Sequence, residues 1–445
     1  MKAEAPVFSV IMATWGRGRH ILPSIQSVLG QEFRDFELIV VGDACSDETG
    51  DVVASLSDPR VRWINLADRC GSQSAPNNAG IAAARGAFIA YLGHDDIWEP
   101  NHLVELARVF AGPDAPDFAV SGLIAHLPQG VPGSAVMGLF SDDSAKHRYF
   151  FPPSCFAHRK SVIDRIGPWL MPMDVRAPVD ADLLLRAAAA DLRFASTGVV
   201  TVHKFTAMLR YLSYLQPASD EQEAMLADLS APDHAARMAA IVDTSRRMGR
   251  FMLEARESHD HLQPGELARI SAARRGVTMA AKPLGAGAVI RQREENCWLD
   301  WQIKPRFGIR YQSRNPRPRF ALPFTAEGPI SLTIRVVHPD QRAFGPLRLL
   351  CNGEPVTAQP TGLAPGLWGW TALYGAEIRL RPDRPSVLEF LLDPLQVQKG
   401  RHFFTKSGFG IGKLWLLPLA DDPALCDRSR NGGLTAVKAE RGHRE

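Results

Sequence analysis

At 445 residues the chain is too long for one ordinary core, so two domains with a helical spacer are expected. Hydrophobic residues at 45% and charged residues at 22% exclude a fibrous or mainly disordered protein. A formal charge of +3, not gathered into a patch, excludes the basic footprint of a nucleic-acid partner.

In chain order, residues 8–12 (FSVIM), 37–41 (ELIVV), 61–66 (VRWINL) and 87–92 (AFIAYL) are short apolar, β-branched runs that read as buried strands. Between the first two, Leu22, Ile25, Val28 and Leu29 recur at helical spacing, and Ser46, Asp47 and Glu48 open another helix. Strand and helix alternating at this spacing predict a parallel sheet with crossover helices. A strand near 118–125, a Pro- and Gly-rich loop at 128–138, a helix at 180–190 and a strand at 199–202 follow. Residues 206–275 are helical in pattern, with Pro217, Pro232 and Pro264 at helix starts.

From about residue 285 the texture changes to strand-like runs with frequent turn residues, at 330–337, 347–351, 377–380, 387–392 and 413–417, which predict an antiparallel β-sandwich. The segment after Asp421 is polar and expected to be disordered. The predicted divisions are residues 1–205, 206–284, 285–420 and 421–445. Cys45, Cys70, Cys155, Cys297, Cys351 and Cys426 show neither a C-x-x-C pair nor zinc-finger spacing, and read as reduced thiols. Residues 1–6 lack the layout of a signal peptide and no apolar run has membrane-spanning length, so a cytoplasmic protein is expected. The basic, apolar-interleaved stretch 246–256 (RRMGRFMLEAR) reads first as a helix packed on its own protein, and second as a peripheral membrane contact.

Ligands of an open parallel sheet bind beyond the carboxyl ends of its strands. Those positions hold Thr14, Trp15, Gly16 and Arg17 after the first strand, Asp43, Ser46 and Asp47 after the second, and His94, Asp95 and Asp96 after the fourth. An aromatic ring to stack on a base, an acid to accept a base N–H, and a carboxylate to hold a diphosphate's divalent cation are all present.

Residues 7–50, the NNAGIAAARG run at 77–86, YLGHDDIWEPNHL at 91–103, PSCFAHRKSVIDRIGPW at 153–169 and PVDADLLLRA at 178–187 together resemble family 2 glycosyltransferases. The motifs occur in that family's order across residues 7–210. The resemblance implies a fold class of α/β, with a GT-A (Rossmann-like, nucleotide-diphospho-sugar transferase) N-terminal domain. It also implies an inverting transfer of sugar from a nucleoside diphosphate donor, UDP-sugar favoured, to a hydroxyl of a glycan or lipid-linked acceptor in bacterial surface polysaccharide synthesis. Thr14, Trp15, Arg17, Asp43, Asn78, Arg85, Asp95 and Asp96 are the implied nucleotide-sugar contacts, with Arg85 near the diphosphate. Asp180 is the implied catalytic base, and Asp95 with His203 the implied ligands of Mn²⁺ or Mg²⁺. The family's first D-x-D acid is Gly93 here, and the Glu before its base is Val179.

Plainer readings stand beside these. Asp95 and Asp180 would also cap helices, His203 could be structural, and Arg85 could oppose a helix dipole. Asp182 is expected to pair with Arg186 at helical spacing rather than to catalyse. The rival function is a catalytically decayed platform that binds glycans or acts as a scaffold. Nucleotidyl transfer fits the sheet but would want a better phosphate loop than TWGRGRH.

Overall fold

The structure, a computed structural model, describes residues 5–113, 115–126, 134–205, 210, 213–248, 259–274, 282–290, 301–304, 309–312, 319–338, 340–366, 369–393 and 410–419. It divides into two compact units, Met1–Val277 and Thr278–Glu445. Residues 249–256 of the basic stretch, Trp368 and residues 421–445 lie outside the described set.

The first unit is built on a nine-stranded sheet: β1 (Phe8–Thr14), β2 (Phe36–Gly42), β3 (Val61–Asn65), β4 (Phe88–Tyr91), β5 (Ile97–Trp98), β6 (Phe118–His126), β7 (Ser134–Met137), β8 (Phe156–Arg159) and β9 (Phe194–Phe205). Its order is β3-β2-β1-β4-β8-β6-β9-β5, with β7 beside β6. The strands from β3 to β4 are parallel, in the register Phe8↔Phe36 through Thr14↔Gly42, whereas β8 runs antiparallel to both β4 and β6. β1 and β2 are buried nearly throughout, as helices on both faces of a parallel sheet require.

Helices α1 (Leu22–Leu29), α2 (Thr49–Ala54), α3 (Ser74–Ala83), α4 (His102–Phe110), α5 (Ala145–Arg148), α6 (Val162–Ile166) and α7 (Val179–Ala189) cover the sheet. Gly80 lets α3 approach β1, since a Cβ there would come within 2.6 Å of Ile11 Cγ2. Then α8 (Asp220–Asp228) packs on α1 and β5, and α9 (His234–Arg247) packs on β7; α10 (Glu266–Arg274) ends the helical stretch. Among the described residues no helix is long and apolar enough to cross a membrane.

The second unit is antiparallel apart from a two-residue parallel pairing of Lys282–Pro283 with Phe324–Thr325. Its ten-stranded sheet is continuous, because the long strand Glu354–Gly366 pairs with Leu347–Cys351 over its first part and with Gly369–Arg379 over its second. Alternation along Pro329–His338 sends Ile330, Leu332, Ile334 and Val336 into a core with Leu349, Tyr374 and Phe390.

The α/β class and the antiparallel second unit are as expected from sequence. In the first unit three described strands were not legible: β5 has two residues, β8 is a short run inside a mixed sheet, and β7 lies in the segment read as a loop. The strand expected at 199–202 is part of the twelve-residue β9, which pairs with β6 from Phe194 to Ser196 and, past a shift of register, again from Val200.

Candidate active site

β1 and β2 end side by side, and Asp43 N–H donates to the Thr14 carbonyl at 2.8 Å. The Asp43 side chain is buried, with one carboxylate oxygen accepting from Cys70 N at 2.8 Å and the other from Gly71 N at 2.7 Å. It therefore pins the loop that follows β3. That loop carries Arg69, whose guanidinium carbon lies 3.5 Å from the centre of the Trp15 ring. It also carries Gln73, whose side chain faces Asp180.

Arg17 is 4% exposed and sits between Asp95 Oδ2 and the Ser213 carbonyl, at 3.3 Å from each. Its Nε and the buried Thr14 Oγ1 have no hydrogen-bond partner among the described residues. Such unsatisfied polar atoms mark where a polar ligand would be welcome. Tyr214 packs near Trp15, with ring centres 5.5 Å apart, and beneath the Arg17 guanidinium.

Asp95 and Asp96 diverge. Asp95 stays partly exposed, while Asp96 is fully buried and accepts from Ser154 Oγ, from Lys204 Nζ at 2.9 Å and from Phe205 N at 3.0 Å. The sequence assigned both acids to the donor; the structure makes Asp96 an internal anchor of β9, its oxygens all engaged. Gly93 fits the same packing, because a Cβ there would come within 2.8 Å of Asp96 Oδ2 and 3.2 Å of Asp95 Oδ1.

Lys204 gathers the acids. Burial disfavours its ammonium, but Asp96, then Asp95 and Asp180, outweigh that and hold it above the ordinary lysine range. Asp180, in the first turn of α7, has its carboxyl raised by burial, against the lowering pull of the Ala181 N–H (3.0 Å), Lys204 and Gln73. A carboxylate made more basic than usual beside a fixed cation is a group suited to take a proton.

Three other sequence-predicted residues lie elsewhere. Arg85 pairs with buried Glu37 at 3.0 Å, near the amino ends of β1 and β2. Six residues of strand separate Glu37 from Asp43, roughly 20 Å, so the assignment of Arg85 to the diphosphate is corrected. Asn78 clamps Trp169 through two 2.9 Å bonds to its backbone. His203 follows Val202 and precedes Lys204 on β9, so its side chain leaves the opposite face from Lys204. It hydrogen-bonds Glu99 at 2.8 Å and His126 at 3.0 Å, so the structure does not join it with Asp95. Arg69, Gln73, Lys204 and Tyr214 were missed by sequence reasoning; only Lys204, one residue past a noted His, carried any signal there.

Residues 9–126 match the family model described as Glycosyl transferase family 2. An uncharacterized glycosyltransferase of Nostoc sp., alr2836, is 30% identical over 177 residues, covering 36% of this chain and 53% of the relative. WfaP of Escherichia coli, named as a UDP-Glc:alpha-D-GlcNAc-diphosphoundecaprenol beta-1,3-glucosyltransferase, is 26% identical over 131 residues, or 27% of this chain and 52% of the relative. The chain thus spans about half the length of these curated relatives. Among solved structures, Staphylococcus aureus TarS 1-349 in complex with UDP-GlcNAc aligns with a TM-score of 0.38 and 19% identity over 54% of this chain and 72% of that chain.

Proposed function

The amino-terminal part of this chain is a family 2 glycosyltransferase domain, and from that premise we propose that the protein transfers a sugar from a nucleoside diphosphate sugar to an acceptor hydroxyl with inversion. The observation that carries the reading is the meeting of Asp180, Lys204, Asp95 and Arg17 beyond the carboxyl ends of the strands. Asp180 accepts the proton of the acceptor hydroxyl as its oxygen bonds the anomeric carbon, and the bond from that carbon to the diphosphate breaks on the opposite face. Arg17 and Lys204 supply positive charge toward the leaving diphosphate. A single partly exposed carboxylate, Asp95, together with the donor's own phosphates fits Mg²⁺ or Mn²⁺. When bound, that ion would neutralise the same developing charge.

The acceptor is a glycan or a lipid-linked glycan, a class supported by the likeness to WfaP, which is named for a diphosphoundecaprenol-linked acceptor. The donor is a UDP-sugar, and the membrane's inner face is where a lipid-linked acceptor would be met. Asp180→Asn tests the assignment. Asn keeps the size and still accepts from Ala181 N, so folding and donor affinity should hold while turnover falls by about 10²–10⁴-fold. Near-normal transfer by this variant would remove Asp180 as the base.

A further inference from the structure

On the far side of β9 from Lys204 lies a second cluster that the transfer reaction does not use. Glu99 follows β5, His203 lies on β9 and His234 begins α9, and one ligand atom from each falls within 4.8 Å of the others. We propose that Glu99, His203 and His234 bind a zinc-class divalent cation that ties the α8–α9 helices to the sheet, at a site separate from the donor cleft.

The Nδ1 atom of each histidine is already engaged. His234 Nδ1 meets Asp228 Oδ2 at 2.7 Å, and His203 Nδ1 meets His126 Nε2 at 3.0 Å. With its Nδ1–H given to Asp228, a neutral His234 presents Nε2 as a lone pair, and that atom lies 2.7 Å from Glu99 Oε1. His203 Nε2 approaches the same oxygen at 2.8 Å. Electron-pair donors held this close need a ring proton or a metal ion between them.

Two imidazoles and a carboxylate, each imidazole oriented through its outer nitrogen, form the ligand set and supporting shell of a tetrahedral zinc site, with one position left for water. The two nitrogen–oxygen distances, from Glu99 Oε1 to His203 Nε2 and to His234 Nε2, must each open by roughly half an ångström to seat an ion at about 2.0–2.1 Å. Glu99, Asp228 and Asp233 together balance a dication and Arg237, which pairs with both aspartates. The side chains are 14%, 0% and 7% exposed for Glu99, His203 and His234, so an ion would enter past Glu99. Nitrogen-rich ligation favours zinc over magnesium, which separates this site chemically from Asp95.

The full chain, stripped with a chelator, is titrated with Zn²⁺ against a chromophoric competitor and with Co²⁺ by its ligand-field absorption. One ion per chain is expected, with a rise in melting temperature. Asp228→Asn should weaken binding by about 10–100-fold as an outer partner is lost, Glu99→Gln and His234→Ala should weaken it further, and Asp95→Ala should leave it unchanged. Should His234→Ala fail to fold, Glu99→Gln carries the comparison, since it keeps the size and polarity of the side chain. Absence of stoichiometric zinc and cobalt binding by the wild-type chain would overturn the proposal and leave ring protons as the charge that holds Glu99. Undiminished binding by Glu99→Gln, or binding lost in Asp95→Ala, would overturn it as well.

Discussion

Asp180 and Asp96 show how environment separates identical side chains. Asp96 is enclosed by three donors and serves the fold, whereas burial makes Asp180 a stronger base than a solvated aspartate. The acidic limb of kcat/KM should therefore lie above the ordinary aspartate range, with activity falling as pH drops through the raised value. A profile flat down to the usual carboxylate range would contradict that role. Stability carries the opposite sign. A carboxyl whose folded value is raised binds its proton more tightly when folded, so ionisation costs stability as pH climbs past the unfolded value. Asp180→Asn removes that cost, and its melting temperature at neutral pH should equal or exceed that of the wild type. Gly93→Asp, which restores the acid that the family motif would have, should instead destabilise. Its Cβ displaces the Asp96 carboxylate from Lys204, and disturbing a buried ion pair costs about 3–5 kcal/mol. Chemical denaturation measures it, and an unchanged midpoint would mean that the cluster yields without strain.

The loop after β3 is the element on which the proposed donor side depends. Asp43 sits at its base, Arg69 lies on Trp15 and Gln73 reaches Asp180, so one carboxylate sets the position of groups on both sides of the cleft. Asp43→Asn keeps the size but can accept only one of the two loop amides well, and a hydrogen bond to a charged group is worth about 1.5–3 kcal/mol. Nucleotide affinity measured by calorimetry should fall, with a smaller change in the melting of the sheet. Equal losses in both would mean that Asp43 supports the core rather than the loop. α7 is fixed differently. Arg186 binds Asp182 at 2.8 Å and also donates to the Ile166, Gly167 and Pro168 carbonyls, so the expected surface pair also anchors α7 to the end of α6.

Across the molecule, each unit has its own buried cluster, one centred on Phe8, Leu38, Trp98 and Phe118, the other on Ile330, Leu332, Tyr374 and Phe390. A chain ending at Val277 should therefore unfold cooperatively and bind nucleotide as the full chain does. If the second unit engages the acceptor, the shorter chain should lose turnover on a long native acceptor while keeping it on a short one. Full turnover on both would assign the second unit another role. The half-buried Trp370 is the described aromatic candidate for such contact.

Local pattern was enough for the alternating first strands, for the change of texture that marks the second unit, and for Thr14, Arg17, Asp43, Asp95 and Asp180 beyond strand ends or at a helix start. Those features follow from side-chain period and from the rule that ligands meet the carboxyl ends of strands. Long-range pairing decided the rest. Antiparallel insertion of β8 and the extension of β9 gave Lys204 to the acids and turned His203 to the other face, a parity that no spacing within residues 202–205 reveals without knowing which face is which. Asp96 became an anchor, and Glu99 and His234, 135 residues apart in the chain, became neighbours, because tertiary packing alone determines which polar groups are buried together and which must therefore satisfy one another.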